Sequence, residues 1–217
     1  SIAITENGHN ATEDMVAKVF SDGIKKYCPQ FTVLETQLEG AEPTQAIAVA
    51  TSIIQANPDI VGALSTTGGG STTWAGAQKE TGVKVVSVGM DATRVNLDLI
   101  KNGEVWAIVA QPLYEECKGS AELLWQMANG KEVPYWTILE APLVTKDNME
   151  PFYAILDQLE PQFREAENPD AVRAKQTADA KPKVNGPFVL AIYNAYHPFC
   201  QLVTQSFLEG CERSGYD

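Results

Sequence analysis

Residues 60–111 read IVGALSTTGGGSTTWAGAQKETGVKVVSVGMDATRVNLDLIKNGEVWAIVAQ, and this stretch decides the fold. Ile60–Leu64 is a short apolar run. Ser65–Thr73 is a turn of glycine, serine and threonine, and Trp74–Lys79 has helical character. Val83–Val88 is a second apolar run that ends at Gly89-Met90-Asp91. A helix carrying Val95, Leu97, Leu99 and Ile100 follows, and then a third run, Val105–Ala110, ends at Gln111. Short strands alternating with helices imply a parallel sheet with right-handed crossovers. Ligands of such sheets bind beyond the carboxyl ends of the strands. The Thr66–Ser71 turn, Asp91 and Gln111 stand at those ends.

The same alternation extends on both sides. Ile2–Thr5 reads as a first strand. A helix follows with Met15, Val16, Val19, Phe20 and Ile24 at the spacing of a buried stripe. Phe31–Thr36 is expected as the second strand. The next helix sets Ala46, Val49, Ala50, Ile53 and Ile54 on one face and stops before Asn57-Pro58. Beyond Gln111-Pro112 a helix runs through Leu123, Leu124 and Met127 to Gly130. Pro134–Leu139 is expected as a strand, Ala141–Thr145 as an extended segment and Pro151–Leu159 as a short helix. The pattern then breaks. Residues 160–185 are charged, alanine-rich and punctuated by proline, the composition of a linker or of an exposed helix plus linker. Order resumes with a strand at Pro187–Tyr193 and a helix through Leu202, Val203, Phe207, Leu208 and Cys211. The expected organisation is therefore an α/β lobe at 1–159, a linker at 160–185 and the opening of a second lobe at 186–217.

Composition excludes several classes. A 217-residue chain can bury a sizeable core. Its net charge of −12 argues against a nucleic-acid or anionic-membrane surface. No apolar run reaches the roughly 18 residues of a membrane span. Ser1–Thr5 reads as a strand rather than the start of a signal peptide, which leaves the compartment open. Cys28, Cys117, Cys200 and Cys211 form no CxxC pair. Cys200 and Cys211 fall on one expected helix, about 16 Å apart, too far for a disulfide; free thiols are expected. The sequence has no GxSxG elbow, HExxH or recognisable Cys–His spacing, so no enzyme is expected. The glycine turn is not a phosphate-binding P-loop, because no lysine follows it.

The order and spacing of five segments resemble one family. They are Ala56-Asn57-Pro58-Asp59, Ala63–Thr73, Val88-Gly89-Met90-Asp91, Gly103–Pro112 and Gly130-Lys131-Glu132-Val133-Pro134. Together they resemble the C-terminal lobe of the ribose-binding-protein-like (type I) periplasmic sugar-binding proteins of ABC transporters, over essentially all of 1–159. The tail, with Phe188–Tyr193, His197-Pro198-Phe199 and Glu212–Tyr216, resembles the mature amino terminus of the same family. The lobe order is thus reversed. A circular permutation, a segment cut across tandem binding domains and a fragment of such an arrangement all account for it.

The resemblance implies a doubly wound type I lobe with a partial second lobe. It implies capture of a small sugar or polyol in an interlobe cleft, hinge closure, and delivery to an ABC permease from the periplasm or a Gram-positive cell surface. It implies no cofactor. A ligand-sensing domain of a receptor or regulator is the alternative reading, and a sugar- or nucleotide-processing enzyme the second. Asp91 matches the family aspartate that accepts hydrogen bonds from vicinal hydroxyls; helix capping at Ala92 is the plain structural alternative. Gln111 matches a family glutamine whose amide donates and accepts. Thr66, Thr67 and Gly68 replace the Asn-Asp of ribose binders, which argues against ribose itself. Asn10 is the preferred contact where those proteins carry an arginine, and Glu13 and Asp14 are expected to face solvent or favour the helix dipole. His197 and Phe199 match positions that bond to and stack on the sugar.

His9 and His197 lie in equivalent turns but have no clear carboxylate partner, so no metal is expected. Of Trp74, Trp106, Trp125 and Trp136, all read as core except Trp74, which follows the glycine turn and is placed, with Tyr114, near the cleft. The expected strand and helix at 186–217 expose an edge and an apolar face. They are expected to pack on another chain or on the rest of their lobe.

Overall fold

The computed structural model describes residues 1–166, 190 and 198–213, with the side chains of 162–166 and 198 left aside. These residues form two compact units: Ser1–Gln111 with Pro142–Met149, and Pro112–Ala141 with the chain from Glu150 onward.

The first unit is a six-stranded sheet in the order β2-β1-β3-β4-β5-β6. Its strands are β1 (Ile2–Glu6), β2 (Gln37–Leu38), β3 (Gly62–Ser65), β4 (Val86–Met90), β5 (Ala107–Val109) and β6 (Leu143–Val144). The first five are parallel and β6 runs antiparallel to β5. Helices α1 (Ala11–Tyr27), α2 (Pro43–Ala56), α3 (Gly70–Thr81) and α4 (Arg94–Asn102) form the crossovers. This is the doubly wound parallel sheet expected from the alternation. The chain goes outward from β1 to β2, returns past β1 to β3, and continues outward on the other side. The crevice at the carboxyl ends of β1 and β3 is therefore the topological switch point.

Local chemistry sets the element ends. Pro43 opens α2 and the Glu42 side chain caps it by accepting from the Gln45 N–H at 2.8 Å. Gly82 and Gly103 end α3 and α4 in the left-handed conformation, at φ 72° and 75°. β1 is buried along its whole length. Ala3 and Ala63 from the sheet pack with Ala50, Ile53 and Ile54 of α2 and Trp74 and Ala77 of α3.

Several local expectations are corrected. The second strand is not Phe31–Thr36: a single parallel bridge joins Val33 to Ile2, and regular pairing begins only at Gln37 opposite Thr5. Two residues of β1, Ala3 and Ile4, thus face three of its partner, Leu34, Glu35 and Thr36. This inserts a bulge that delays the ladder and places Glu39, not Thr36, at the strand's end. Helix α3 starts at Gly70 inside the expected turn, because its small residues allow close approach to the sheet. On α1 the apolar stripe is not buried as a whole: Met15 and Val19 are exposed, and Ala17 is the buried position. Val95 on α4 is exposed as well. Residues 134–139 form no strand, and Tyr135, Trp136 and Ile138 are exposed.

Trp74 is core rather than cleft: it is fully buried and donates from Nε1 to Thr5 Oγ1 at 3.1 Å. Trp106 and Trp136 are exposed instead.

The second unit packs three helices: α5 (Leu113–Ala128), α6 (Glu150–Ala166) and the last described helix, α7 (Pro198–Arg213). Ala121 of α5 packs with Phe207 and Cys211 of α7. Leu113, Leu159 and Leu202 form a second cluster, with Tyr114 and Phe199 half-buried against it. Helix α6 continues past Leu159 to Ala166, into the segment expected as linker. Helix α7 covers its apolar face within this chain, on α5 and α6, which corrects the expectation that it must pack on another chain or on the rest of its lobe. The strand expected at Pro187–Tyr193 lies, except for Leu190, outside the described residues. All four cysteines are free. No described helix is long and apolar enough to cross a membrane.

Candidate functional site

The carboxyl ends of the parallel strands carry a hydrogen-bonded set of hydroxyls, carboxylates and amides, all within the first unit. After β3 the chain turns through Ser65-Thr66-Thr67-Gly68. Thr66 is buried, and its Oγ1 donates to Glu13 Oε2 at 2.8 Å. Glu13 lies in the first turn of α1. Its other partners are the Asn7 N–H and the Asn10 side-chain amide, both donating at 2.8 Å. The bond between Thr66 and Glu13 therefore spans the switch point, from the turn after β3 to the turn after β1. Thr67 Oγ1 donates to Glu39 Oε1 at 2.9 Å, and Ser65 Oγ lies 3.2 Å from both oxygens of the same carboxylate. Glu39 is only 1% exposed, so these hydroxyls supply the hydrogen bonds its burial requires.

Asp91 follows β4 with φ at 67°, the left-handed region, and is 5% exposed. It is the single described non-glycine residue with positive φ. Aspartate tolerates this conformation better than most residues, yet it remains a strained choice of the kind concentrated at functional sites. Gln111, after β5, donates from Nε2 to Asp91 Oδ1 at 2.7 Å. The other carboxylate oxygen sits against Gly68: a Cβ at that position would lie 2.5 Å from Asp91 Oδ2, so only glycine lets the two turns approach. Asn96 of α4 fastens the arrangement, donating to the carbonyls of Gly68 at 2.9 Å, Met90 at 2.9 Å and Asp91 at 3.0 Å.

The expected site residues divide accordingly. Thr66, Thr67, Asp91 and Gln111 are brought to adjoining strand ends. Capping of α4 falls to Thr93, whose Oγ1 accepts from the Asn96 N–H at 3.3 Å. Asn10 reaches the same edge, but its side chain is engaged as the α1 cap. Its Oδ1 accepts from the N–H groups of Thr12 and Glu13, and its Nδ2 donates to Gly8 and Glu13. Phe199 lies in the second unit, in the first turn of α7 against the Leu113–Leu159–Leu202 cluster. His197 lies outside the described residues. Tyr114 is also in the second unit, where its hydroxyl donates to Glu209.

Sequence reasoning missed three acids. Glu13 stands in the first turn of α1, where it favours the helix dipole as expected, but it also links the two turns. Glu39 was hidden by the misplaced second strand. Glu6, the last residue of β1, is 2% exposed; burial first, and the Asp14 carboxylate next, hold its carboxyl above the ordinary glutamate value. For two of them the available signal was position: Glu6 and Glu39 are each the first acid beyond an expected strand.

The lobe thus presents hydroxyl, amide and carboxylate groups at the switch point, where ligands of doubly wound sheets bind. The particular family follows from comparison. A profile of the periplasmic binding protein domain matches residues 3–132, and the chain belongs to that family. No curated protein sequence matches it.

Solved structures share its type I fold. A carbohydrate transporter solute-binding protein from Agrobacterium radiobacter, in complex with D-arabinose, is 25% identical with a TM-score of 0.65, covering 70% of this chain and 54% of its own. A solute-binding protein of an ABC transporter from Bacillus halodurans, with bound myo-inositol, is 22% identical with a TM-score of 0.62, covering 70% and 54%. The fructose-binding periplasmic domain of a hybrid two-component system is 18% identical with a TM-score of 0.63, covering 79% and 58%. This chain thus spans little more than half the length of the structures it matches. The family is one of solute-binding proteins rather than enzymes.

Proposed function

We propose that this chain provides the sugar-capturing lobe of a solute-binding protein of the sugar-import type. A neutral sugar or polyol would lie at the carboxyl ends of β1, β3, β4 and β5. The observation that carries the reading is the Asp91–Gln111 pair, held at 2.7 Å beside the hydroxyl turn at Thr66 and Thr67. Together these groups offer what adjacent hydroxyls require: a carboxylate that accepts two hydrogen bonds, and an amide that donates and accepts. The site's acids also select by charge. Glu13, Glu39 and Asp91 all stand at these strand ends, so a phosphorylated or acidic sugar meets like charge there, whereas a neutral polyol does not. The bound D-arabinose and myo-inositol of the similar structures accord with this class.

In this reading no covalent chemistry occurs. The ligand binds in a cleft that a second lobe closes, and closure presents a surface to an ABC permease. The setting would be the periplasm or the outer face of a Gram-positive membrane. A second reading, in which ligand-driven closure is passed to a receptor, is favoured by the similarity to the periplasmic domain of a two-component system.

A thermal-shift panel of pentoses, hexoses, inositols and sugar phosphates tests the proposal. A ligand specific for the folded form at a hundredfold excess over Kd raises stability by about 2.7 kcal/mol. The expected result is an upward shift with a neutral sugar or polyol that is lost in Asp91→Ala. A shift confined to sugar phosphates, or one that survives in Asp91→Ala, would overturn it.

A further inference from the structure

A second cluster lies on the β1–α1 edge. It joins Glu6 at the end of β1, His9 in the following turn and Asp14 in the first turn of α1. One donor atom from each lies within 4.8 Å of the others. His9 Nδ1 is 3.5 Å from Asp14 Oδ1 and 4.0 Å from Glu6 Oε2. The side chain of Glu6 is 3% exposed, yet no described N–H or hydroxyl donates a hydrogen bond to its carboxylate. Its polar neighbours are His9 and a second carboxylate, Asp14. A buried carboxylate set against another acid is costly unless a proton or a cation joins them. The cleft beside it is also lined by Lys18, Asp22, Lys25 and Thr36; Lys18 is paired with Asp22 rather than with Glu6.

We propose that Glu6, His9 and Asp14 form a site for a divalent transition-metal ion of the zinc type. One imidazole nitrogen and two carboxylate oxygens are a donor set suited to zinc rather than to calcium or magnesium, which prefer oxygen alone. A tetrahedral ion with bonds of 2.0–2.2 Å separates its donors by about 3.3–3.6 Å. The His9–Asp14 separation already falls in that range. The 4.0 Å between His9 and Glu6, and the Glu6–Asp14 edge within 4.8 Å, close to it when the exposed His9 and Asp14 side chains move together toward Glu6. Water from the open cleft completes the fourth position. The ion fastens the end of β1, its turn and α1, and so holds the turn that carries Asn7 and Asn10. The proposal does not depend on the sugar reading.

The test is isothermal titration of the untagged chain with zinc chloride, with calcium and magnesium chlorides as controls, and a parallel cobalt chloride spectrum. The expected result is one saturable equivalent of zinc. It should be weakened at least about tenfold in His9→Ala and in Glu6→Gln, and unchanged in His197→Ala. The cobalt complex should show tetrahedral visible bands without a thiolate charge-transfer band. Glu6→Gln removes a buried charge and keeps the shape, so the variant should stay folded, and circular dichroism of each variant checks this. No saturable uptake, uptake unchanged in His9→Ala, or a thiolate band assigning the ion to cysteine would each overturn the proposal.

Discussion

Thr66 Oγ1 donates to Glu13 Oε2 at 2.8 Å, and this one bond ties the turn after β3 to the first turn of α1. Its partners stand on opposite sides of the switch point, 53 residues apart in sequence. Thr66→Val keeps the shape of the side chain and removes the donor. It should lower unfolding free energy by about 1–2 kcal/mol, because Glu13 retains Asn7 and Asn10 as partners. Urea denaturation of the two chains measures it; equal midpoints would show that the bond contributes nothing.

Asp91 separates strain from hydrogen bonding. Both Asp91→Gly and Asp91→Ala lose the bond from Gln111, but only glycine is relaxed at φ 67°. The glycine variant should be the more stable by about 1 kcal/mol, and neither should bind the sugar found in the thermal-shift panel. Paired denaturation curves decide the first point and calorimetric titration the second.

Gly68 is where ligand affinity and backbone packing meet. Alanine there directs a methyl group to 2.5 Å from Asp91 Oδ2, and the Asn96 bond to the Gly68 carbonyl resists any backbone retreat. Gly68→Ala should therefore displace the carboxylate and weaken sugar binding by at least about tenfold, or 1.4 kcal/mol. Wild-type affinity in this variant would show that the carboxylate position is not critical.

Trp74 anchors α3 to β1 from the core. Trp74→Phe leaves a void and removes the hydrogen bond to Thr5. A loss of about 2–3 kcal/mol is expected, read as a lower thermal midpoint.

Cys117 offers a pH test in the second unit. Burial, with a smaller contribution from Glu116, pushes its thiol up to about 11. The thiolate is the reactive form, so alkylation of Cys117 should be slow at pH 8 and should keep accelerating until pH approaches that value. Mass-spectrometric labelling of the folded chain follows it. A rate that levels off near the ordinary thiol pKa would contradict this.

The sequence by itself determined the alternation of strand and helix, and with it the parallel sheet. Apolar runs such as Ile60–Leu64 and Val105–Ala110, bounded by Gly103, Asn57-Pro58 and the glycine turn, carry that information locally. It also placed Asp91 and Gln111 at strand ends, because residues that directly follow a buried run must emerge at the sheet's edge. Tertiary structure alone decided how those ends are joined. The bond of Thr66 to Glu13 and the burial of Glu39 depend on which strands are neighbours and on a bulge between Val33 and Gln37, and no local pattern records either.

The exposure of Met15 and Val19 shows the same limit: periodicity gives a helix its face, but only the packed neighbours determine whether that face is covered. Helix α7 is the opposite case. Its partners on α5 and α6 lie far away in sequence, so an apolar stripe that seemed to need another chain is covered by its own. Helices and strands follow from interactions within a few residues, whereas burial, carboxylate pairing and the contacts of a site follow from distant segments meeting in space.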